Sequence, residues 1–419
     1  MAKRVKKDSA PELAPEEVAD NQERGSKKPN LTSAKSAKND EFYTQWADIE
    51  REMNAYLEYD PDVFRDKTIL LPCDDPEWSN FAKFFALHFT DYGIKKLIST
   101  SYAPDSKPAS IPYQPTIFET EDPKYDPALT RTNGKKFVLV AEDINHDGVV
   151  NIEDLQWEYL EGDGDFRCDE VTALRDEADI VITNPPFSLF REFLDWLVEG
   201  KVRFSIIGAR NAIAYQSVFP LIQQNKLWLG LGFAKGDAYF RVPESAKTSY
   251  AAGVYDEETQ LVHFRNTTWF TNMEHGRRHE PMQLMTQADN LKFSKHKVIR
   301  SEGYRSYDNY DAIEVPFTDS IPDDYTGVMG VPISFLDRHN PDQFEIVGIA
   351  KAPLGKPSKT YPKQTQVSAN GTKSQVTKLN DGPVVKVTDP PKGSTYYTVN
   401  GDHFVQVYAR ILIRRKGAK

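Results

Sequence analysis

The sequence predicts an α/β fold: an open sheet with helices on both faces, followed by an irregular α+β region. Three observations predict it. The run Ile69-Leu70-Leu71, the amphipathic stretch Trp78–Phe89 and the run at 96–100 give strand, helix and strand within about 35 residues, a βαβ unit that implies parallel pairing. The alternation resumes downstream, where ADIVIT (178–183) reads as a strand, SLFREFLDWLVEG as a helix and VRFSIIGA (202–209) as a further strand. From residue 240 the pattern breaks into short β-like runs separated by Pro, Gly and Asn, of which LDRHNPDQFEIVGIA and YYTVNGDHFVQVYARILIRR are the clearest.

The chain has 419 residues. Residues 1–38 mix Lys, Glu, Ala, Ser and Pro with almost no large apolar side chains, which predicts a disordered tail. A helix is expected from Gln45, because Phe42, Trp46, Ile49, Met53 and Tyr56 recur at helical spacing. Between the second strand and ADIVIT lies an insertion, 103–162, in which PTIFET and KFVLVAED are expected to pair as a hairpin. The expected organisation is thus a tail (1–38), a catalytic domain (39–239) carrying that insertion, and a C-terminal region (240–419).

Composition narrows the function. No apolar run reaches the ~18 residues of a membrane span, and the Lys-rich start has no apolar segment behind it. Two cysteines, Cys73 and Cys168, exclude a disulfide framework and point to a reducing cytoplasm. The net charge is −10, but it is divided unevenly. Residues 201–419 hold 29 Lys and Arg against 21 Asp and Glu, and residues 351–419 hold 13 against 3. A polyanion responds to the local basic face rather than to the total, so the C-terminal half is the candidate nucleic-acid surface.

The chemistry is carried by Asn184-Pro185-Pro186-Phe187, placed after a buried strand and before a helix. In open α/β sheets ligands bind outside the carboxyl ends of the strands. An exocyclic amine on a purine is a poor nucleophile because its lone pair is delocalised into the ring. The Asn184 amide oxygen and the Pro185 carbonyl could both accept from that NH2, draw the nitrogen towards sp3 and free the lone pair for attack on a methylsulfonium. Two prolines restrict the backbone of the loop. Phe187 offers a face for an extruded base.

With these residues in view the chain resembles the EcoRI-type adenine-specific DNA modification methylases. The blocks that carry the resemblance run in order: DEFYTQ (40–45), ILLPCDDPEWSNF (69–81), KKLISTSY (95–102), GDGDFR (162–167), ADIVITNPPFSLFREF (178–193), SIIGARNA (205–212), YDAIEVPFTDSIPDDYTGVMGVPISFLD (310–337) and the C-terminal VNGDHFVQVYARILIRR. The resemblance implies a Rossmann-like S-adenosylmethionine-dependent methyltransferase sheet, transfer to adenine N6 in duplex DNA, and a C-terminal target-recognition region. It implies that Phe42, Tyr43 and Thr44 pack on the methionine end of S-adenosylmethionine, and that Pro72, Cys73 and Asp74 wrap the cofactor. It also implies that Asp165 accepts from the cofactor's adenine while Phe166 stacks on that ring. Two positions depart from the family pattern. PCDDPEW stands where most such enzymes have Gly-x-Gly, and Ser-Thr-Ser ends the second strand in place of an acidic ribose ligand, a role left open to Asp74 or Asp75.

A second pattern, Asp143, Asn145, Asp147, Gly148, Asn151 and Asp154, with the Val149 carbonyl, matches a calcium-loop template, although Asp154 replaces the usual Glu and a strand precedes the loop. Structural calcium is the expectation it raises. The expected enzyme is a monomer, without membrane contact, working on duplex DNA alongside a restriction nuclease that acts separately. The alternatives are the same fold with RNA adenine, cytosine N4 or protein glutamine as acceptor, or a nucleic-acid-binding protein with a decayed site.

Overall fold

The structure, a computed structural model, describes residues 43–76, 79–106, 120, 122–233, 237–242 and 254–417. In chain order the N-terminal elements are β1 (Tyr43–Thr44), α1 (Trp46–Tyr59), β2 (Thr68–Leu71), α2 (Asn80–Leu87), β3 (Lys96–Ser101), α3 (Leu129–Thr132), β4 (Lys135–Val140) and β5 (Gln156–Tyr159). They continue with α4 (Asp169–Glu177), β6 (Ile180–Thr183), α5 (Phe190–Gly200), β7 (Arg203–Ala209), α6 (Phe219–Gln223), β8 (Trp228–Leu229), β9 (Asp237–Arg241), β10 (Tyr255–Asp256), β11 (Leu261–Arg265) and β12 (Thr267–Thr271).

Eight of these strands form one sheet in the order β5-β4-β3-β2-β6-β7-β12-β8. Its centre, β3-β2-β6-β7, is parallel, and β4, β5, β12 and β8 pair antiparallel at the two sides. β2 and β6 are buried along their whole length, as strands covered on both faces must be. Alternation assigns their side chains to two cores. Leu70, Ile98, Val181 and Ile206 face Phe193, Leu194 and Leu197 of α5 and Val171 of α4. Ile69, Leu71, Leu97, Ile180, Ile182 and Ile207 face Ile49, Met53 and Tyr56 of α1 and Phe81, Phe84 and Phe85 of α2. Helices therefore do cover both faces of the sheet.

The local reasons for the helices are plain in the residues. Ile49, Met53 and Tyr56 fall on one stripe of α1 and are fully buried. α2 starts where the Ser79 hydroxyl accepts from the Phe81 amide at 3.0 Å, later than the expected start at Trp78, which lies outside the described residues. α5 ends at Lys201 in the left-handed region, φ 54°.

The chain after β12 forms two further sheets and two short helices, α7 (Gln287–Phe293) and α8 (Lys297–Glu302). The first sheet orders β13 (Ile313–Glu314), β14 (Met329–Pro332), β21 (Arg410–Arg415) and β15 (Phe344–Ala350) as β13-β14-β21-β15. The second orders β16 (Gln364–Val367), β17 (Lys373–Val376), β18 (Val384–Val387), β19 (Tyr396–Val399) and β20 (Asp402–Gln406) as β17-β16-β19-β20-β18. Met329, Val331, Ile346, Ile411 and Ile413 of the first sheet share a core with α5 and α6, so this region is built onto the central sheet.

Two expectations are corrected. KFVLVAED forms β4, but its partners are β3 on one side and β5 on the other; of its expected partner, 115–120, all but Thr120 lies outside the described residues. The open edge of β3 accepts it, so part of the insertion extends the main sheet. The boundary at 239/240 falls inside β9, and β12 belongs to the main sheet, so the central architecture continues to Thr271.

Candidate functional site

β2 leads through α2 to β3 on one side, whereas β6 lies on the other side of β2, so the strand order reverses between β2 and β6. A crevice opens outside the carboxyl ends of strands at such a reversal, and ligands bind there. The loop after β2 is Pro72-Cys73-Asp74, and the loop after β6 is Asn184-Pro185-Pro186-Phe187. The fold thus brings together two of the segments singled out in the sequence, 110 positions apart at Asp74 and Asn184.

A direct bond ties the loops. Asp74 is 5% exposed, and its carboxylate accepts from the Thr183 hydroxyl at 2.6 Å and from the Ser79 hydroxyl at 2.6 Å. Its backbone is held as well, the amide by the Thr100 carbonyl and the carbonyl by the Ser99 hydroxyl. Burial pushes the Asp74 carboxyl up to about 6 against the lowering effect of the two hydroxyls. Both carboxylate oxygens are engaged inside the protein, so Asp74 is a brace between strand ends. Pro72 is buried, its carbonyl accepting from the Thr100 hydroxyl at 2.9 Å. Cys73 beside it is partly buried, and desolvation together with Asp74 raises its thiol well above the usual range.

The catalytic-loop candidates keep a polar rim on an apolar base. Pro185 is buried, and Asn184, Pro186 and Phe187 are half-buried. The Pro186 carbonyl accepts from the Leu189 amide at 3.0 Å, closing the loop into a short 3-10 turn over Phe187–Leu189 that runs into α5. The Asn184 Oδ1 atom is buried, and the residue is held by contacts of its own.

Phe187 packs edge-on against Phe240 and Phe264, at 6.4 and 6.2 Å between ring centroids. These rings belong to a small sheet of order β1-β9-β11-β10 laid over the loop. Its edge strand carries the last two residues of the DEFYT motif: Thr44 pairs with Phe240 and Tyr43 with Arg241. The Thr44 carbonyl also accepts from the Asn80 side chain at 2.7 Å, fastening the motif to the start of α2. The Thr44 hydroxyl is buried and has no hydrogen-bond partner among the described residues. Phe42 lies outside the described residues.

The GDGDFR segment lies beside the end of β3. Gly164, at φ +83°, sits so close to the Ser101 carbonyl that an added Cβ would come within 2.4 Å of it, so only glycine fits. The segment is thereby packed directly onto the end of β3. Asp165 is clamped by Arg167, with Nε to Oδ1 at 2.8 Å and Nη2 to Oδ2 at 2.7 Å. Arg167 also reaches Glu192 of α5 at 2.9 Å. The hydrogen bonds from Arg167 hold the Asp165 carboxyl below its ordinary value. Phe166 is 4% exposed and packs edge-on against Phe193 and Trp196, at 4.9 and 5.6 Å. Phe166 thus joins the aromatic stripe of α5.

The calcium-template loop is held by its own hydrogen bonds. Asp143 accepts from the Asp147 and Gly148 amides, and Asp154 from the amides of Ile144, Asn145 and Asn151. Asp147 accepts from Val149 at 2.8 Å, and Asn151 from Glu153 at 2.7 Å. No group of three His, Cys, Asp or Glu side chains is arranged to hold a metal among the described residues.

Sequence reasoning did not find Thr183, Ser79, Arg167, Glu192, Phe240 and Phe264. Thr183 could have been noticed as the residue before Asn184. Arg167 and Ser79 lie close in sequence to Asp165 and Asp74 and were open to the same reading, whereas Glu192, Phe240 and Phe264 meet the site only through long-range packing.

A sheet with a parallel centre and antiparallel flanks, covered on both faces and carrying Asn-Pro-Pro-Phe at its switch point, is an architecture that fits a methyltransferase. The chain belongs to the adenine-specific methyltransferase EcoRI family, whose description matches residues 30–416. It is 39% identical over 322 residues to the Type II methyltransferase M.EcoRI of Escherichia coli, covering 77% of this chain and 89% of that one. It is 31% identical to M.MgeORF184P of Mycoplasma genitalium over 76% of this chain and 85% of the relative. To M.MpnI of Mycoplasma pneumoniae it is 32% identical, over 75% and 83%. No solved structure matches it significantly. The protein is a DNA adenine methyltransferase, and membership of the family implies S-adenosylmethionine as the methyl source.

Proposed function

We propose that the protein methylates N6 of an adenine extruded from duplex DNA at a specific site, with Asn184 and Pro185 as the groups that activate the amine. The observation that carries this reading is the position of Asn184-Pro185-Pro186-Phe187 at the switch point, braced through Thr183 to the loop after β2.

In this reading S-adenosylmethionine, when bound, supplies an electrophilic methyl on a sulfonium. The Thr44 hydroxyl, with Tyr43 beside it in β1 and Phe42 before it, faces the methionine end. The loop Pro72-Cys73-Asp74 forms the wall, and Asp165 accepts from the cofactor's adenine. The buried Thr44 hydroxyl fits such a group, since it gains a partner from it.

The protein's own part in the reaction is to bind, orient and exclude water. The Asn184 Oδ1 and the Pro185 carbonyl accept hydrogen bonds from the two N–H groups of the target NH2 and shift its lone pair out of conjugation. Pro185 and Pro186 fix both acceptors, and a ~1 Å displacement of such a group can cost ~100-fold in rate. Phe187, held from behind by Phe240 and Phe264, is the surface on which the extruded base rests. No strong base is needed before transfer, because the amine proton becomes acidic only after alkylation.

Target recognition is assigned to the chain after β12, with its excess of basic residues. The enzyme acts in the cytoplasm as a monomer, in keeping with its two free cysteines, and its restriction nuclease is a separate protein. No helix among the described residues is long and apolar enough to cross a membrane. Calcium at residues 143–154 is the remaining part of the proposal, and it rests on the spacing of that loop alone.

Labelled methyl transfer offered to duplex DNA, RNA and protein side by side tests the reading. It expects label in DNA as N6-methyladenine. Label confined to RNA, protein or cytosine would overturn it.

A further inference from the structure

The structure sorts the cations of the C-terminal segment into two groups. Arg410, Arg414 and Arg415 pair with Glu314, Glu345 and Asp323, at 2.7, 3.3 and 2.9 Å. Lys359 pairs with Asp308 at 2.5 Å, and Lys386 with Asp402 at 2.9 Å. These charges serve the fold and have little left for a partner.

A different situation holds between β15 and β16. Residues 351–363, KAPLGKPSKTYPK, contain four lysines and no acidic residue, in a chain whose net charge is −10. Both ends of this loop are tied to one place. The Ala352 amide donates to the Asp381 carbonyl at 2.9 Å, and the Tyr361 amide to the Asn380 side chain at 2.8 Å. Between them the Ser358 amide donates to the Asn309 carbonyl at 2.9 Å. Gly355 lies so close to the Tyr310 hydroxyl that a Cβ would come within 2.5 Å of it. The loop is therefore a compact Ω-type loop with fixed ends and a packed interior. Lys359 is drawn back to Asp308, whereas Lys351, Lys356 and Lys363 are exposed and have no ion-pair partner among the described residues.

We propose that this loop is a docking surface for the duplex-DNA backbone, with Lys351, Lys356 and Lys363 as its phosphate ligands. The occupant follows from charge. Three unpaired ammonium groups on a loop whose backbone is already ordered suit a polyanion, because each phosphate they neutralise releases condensed counterions. The proposal rests on the reading that the enzyme's substrate is duplex DNA, and it adds where the backbone is held. Contacts of this kind fix position without reading sequence.

The test compares two triple variants of the full chain. One carries Lys351→Gln, Lys356→Gln and Lys363→Gln. The other removes the same charge from ion-paired positions, as Lys136→Gln, whose ammonium pairs with Glu158, Lys386→Gln and Arg414→Gln. Affinity for a labelled mixed-sequence duplex is measured across a salt series, with S-adenosylmethionine affinity and melting temperature as controls. The loop triple is expected to lower the slope of log K against log salt by about 2.7, at about 0.9 per lost phosphate contact, with cofactor affinity unchanged. The paired triple is expected to leave the slope near that of the parent. Equal slopes for parent and loop triple, or equal losses in both triples, would overturn the proposal. Labelled transfer to DNA by the parent tests the functional reading separately: if DNA is methylated while the loop triple keeps the parent's slope, the loop assignment alone falls.

Discussion

Thr183, the last residue of β6, donates its hydroxyl to Asp74 at the end of the loop after β2, at 2.6 Å and fully out of solvent. The bond joins the strand that delivers Asn184 to the strand that delivers the cofactor wall. Thr183→Val keeps the shape and deletes the donor, leaving a buried carboxylate oxygen unsatisfied at a cost of about 1–3 kcal/mol. The expected result is a lower melting temperature and slower methyl transfer, with Thr183→Ser close to the parent. A Val variant as stable and active as the parent would show that the bond is not a brace.

Asp74 also predicts a pH dependence. Its folded carboxyl is raised to about 6 from an ordinary 3.8, chiefly by desolvation. A raised carboxyl favours the folded state while both forms are protonated, below pH 4. That contribution is lost as pH rises through 6, because the folded protein must then hold a buried charge. Asp74→Asn removes the titration. The difference in melting temperature between Asn variant and parent is expected to move in the variant's favour from pH 4 to pH 7, and parallel curves would contradict it.

Much of this was open to reading in the sequence, for a physical reason. β2 and β6 are buried on both faces, so they appear as unbroken apolar runs, ILL and IVI, and the loop that follows β6 has a composition few other functions need. Helix α1 announced itself by the spacing of Ile49, Met53 and Tyr56. What stayed hidden depends on pairing across the chain. TTWFT is entirely buried as β12, yet nothing local says that it slots between β7 and β8. The hairpin β9–β11 that backs Phe187 is likewise invisible until Phe240 and Phe264 are folded onto it. The packing of Gly164 against the Ser101 carbonyl is hidden in the same way, because it joins segments far apart in the chain.

The cofactor assignment is tested at Asp165. Arg167 orients its carboxylate and keeps it ionised, ready to accept from an amine. Asp165→Ala is expected to raise the S-adenosylmethionine dissociation constant by the worth of one buried acceptor, about 1–3 kcal/mol, or roughly 5- to 150-fold. An unchanged constant by titration calorimetry would remove Asp165 from the site.

Calcium is tested directly by calorimetry at millimolar concentration. The expected outcome is measurable heat and a raised melting temperature, both lost in Asp143→Asn combined with Asp147→Asn. Absence of heat and of any shift in the parent would end the calcium reading and leave a loop closed by its own hydrogen bonds.

The central claim is that Asn184 acts on the target amine and not on the cofactor. The measurement that bears on it most directly is methyl transfer to duplex DNA by Asn184→Ala, with S-adenosylmethionine affinity determined on the same preparation. Removing an acceptor that works only in the transition state should lower turnover by about 100-fold or more while the cofactor dissociation constant stays near that of the parent. Turnover like the parent's in that variant would contradict the account.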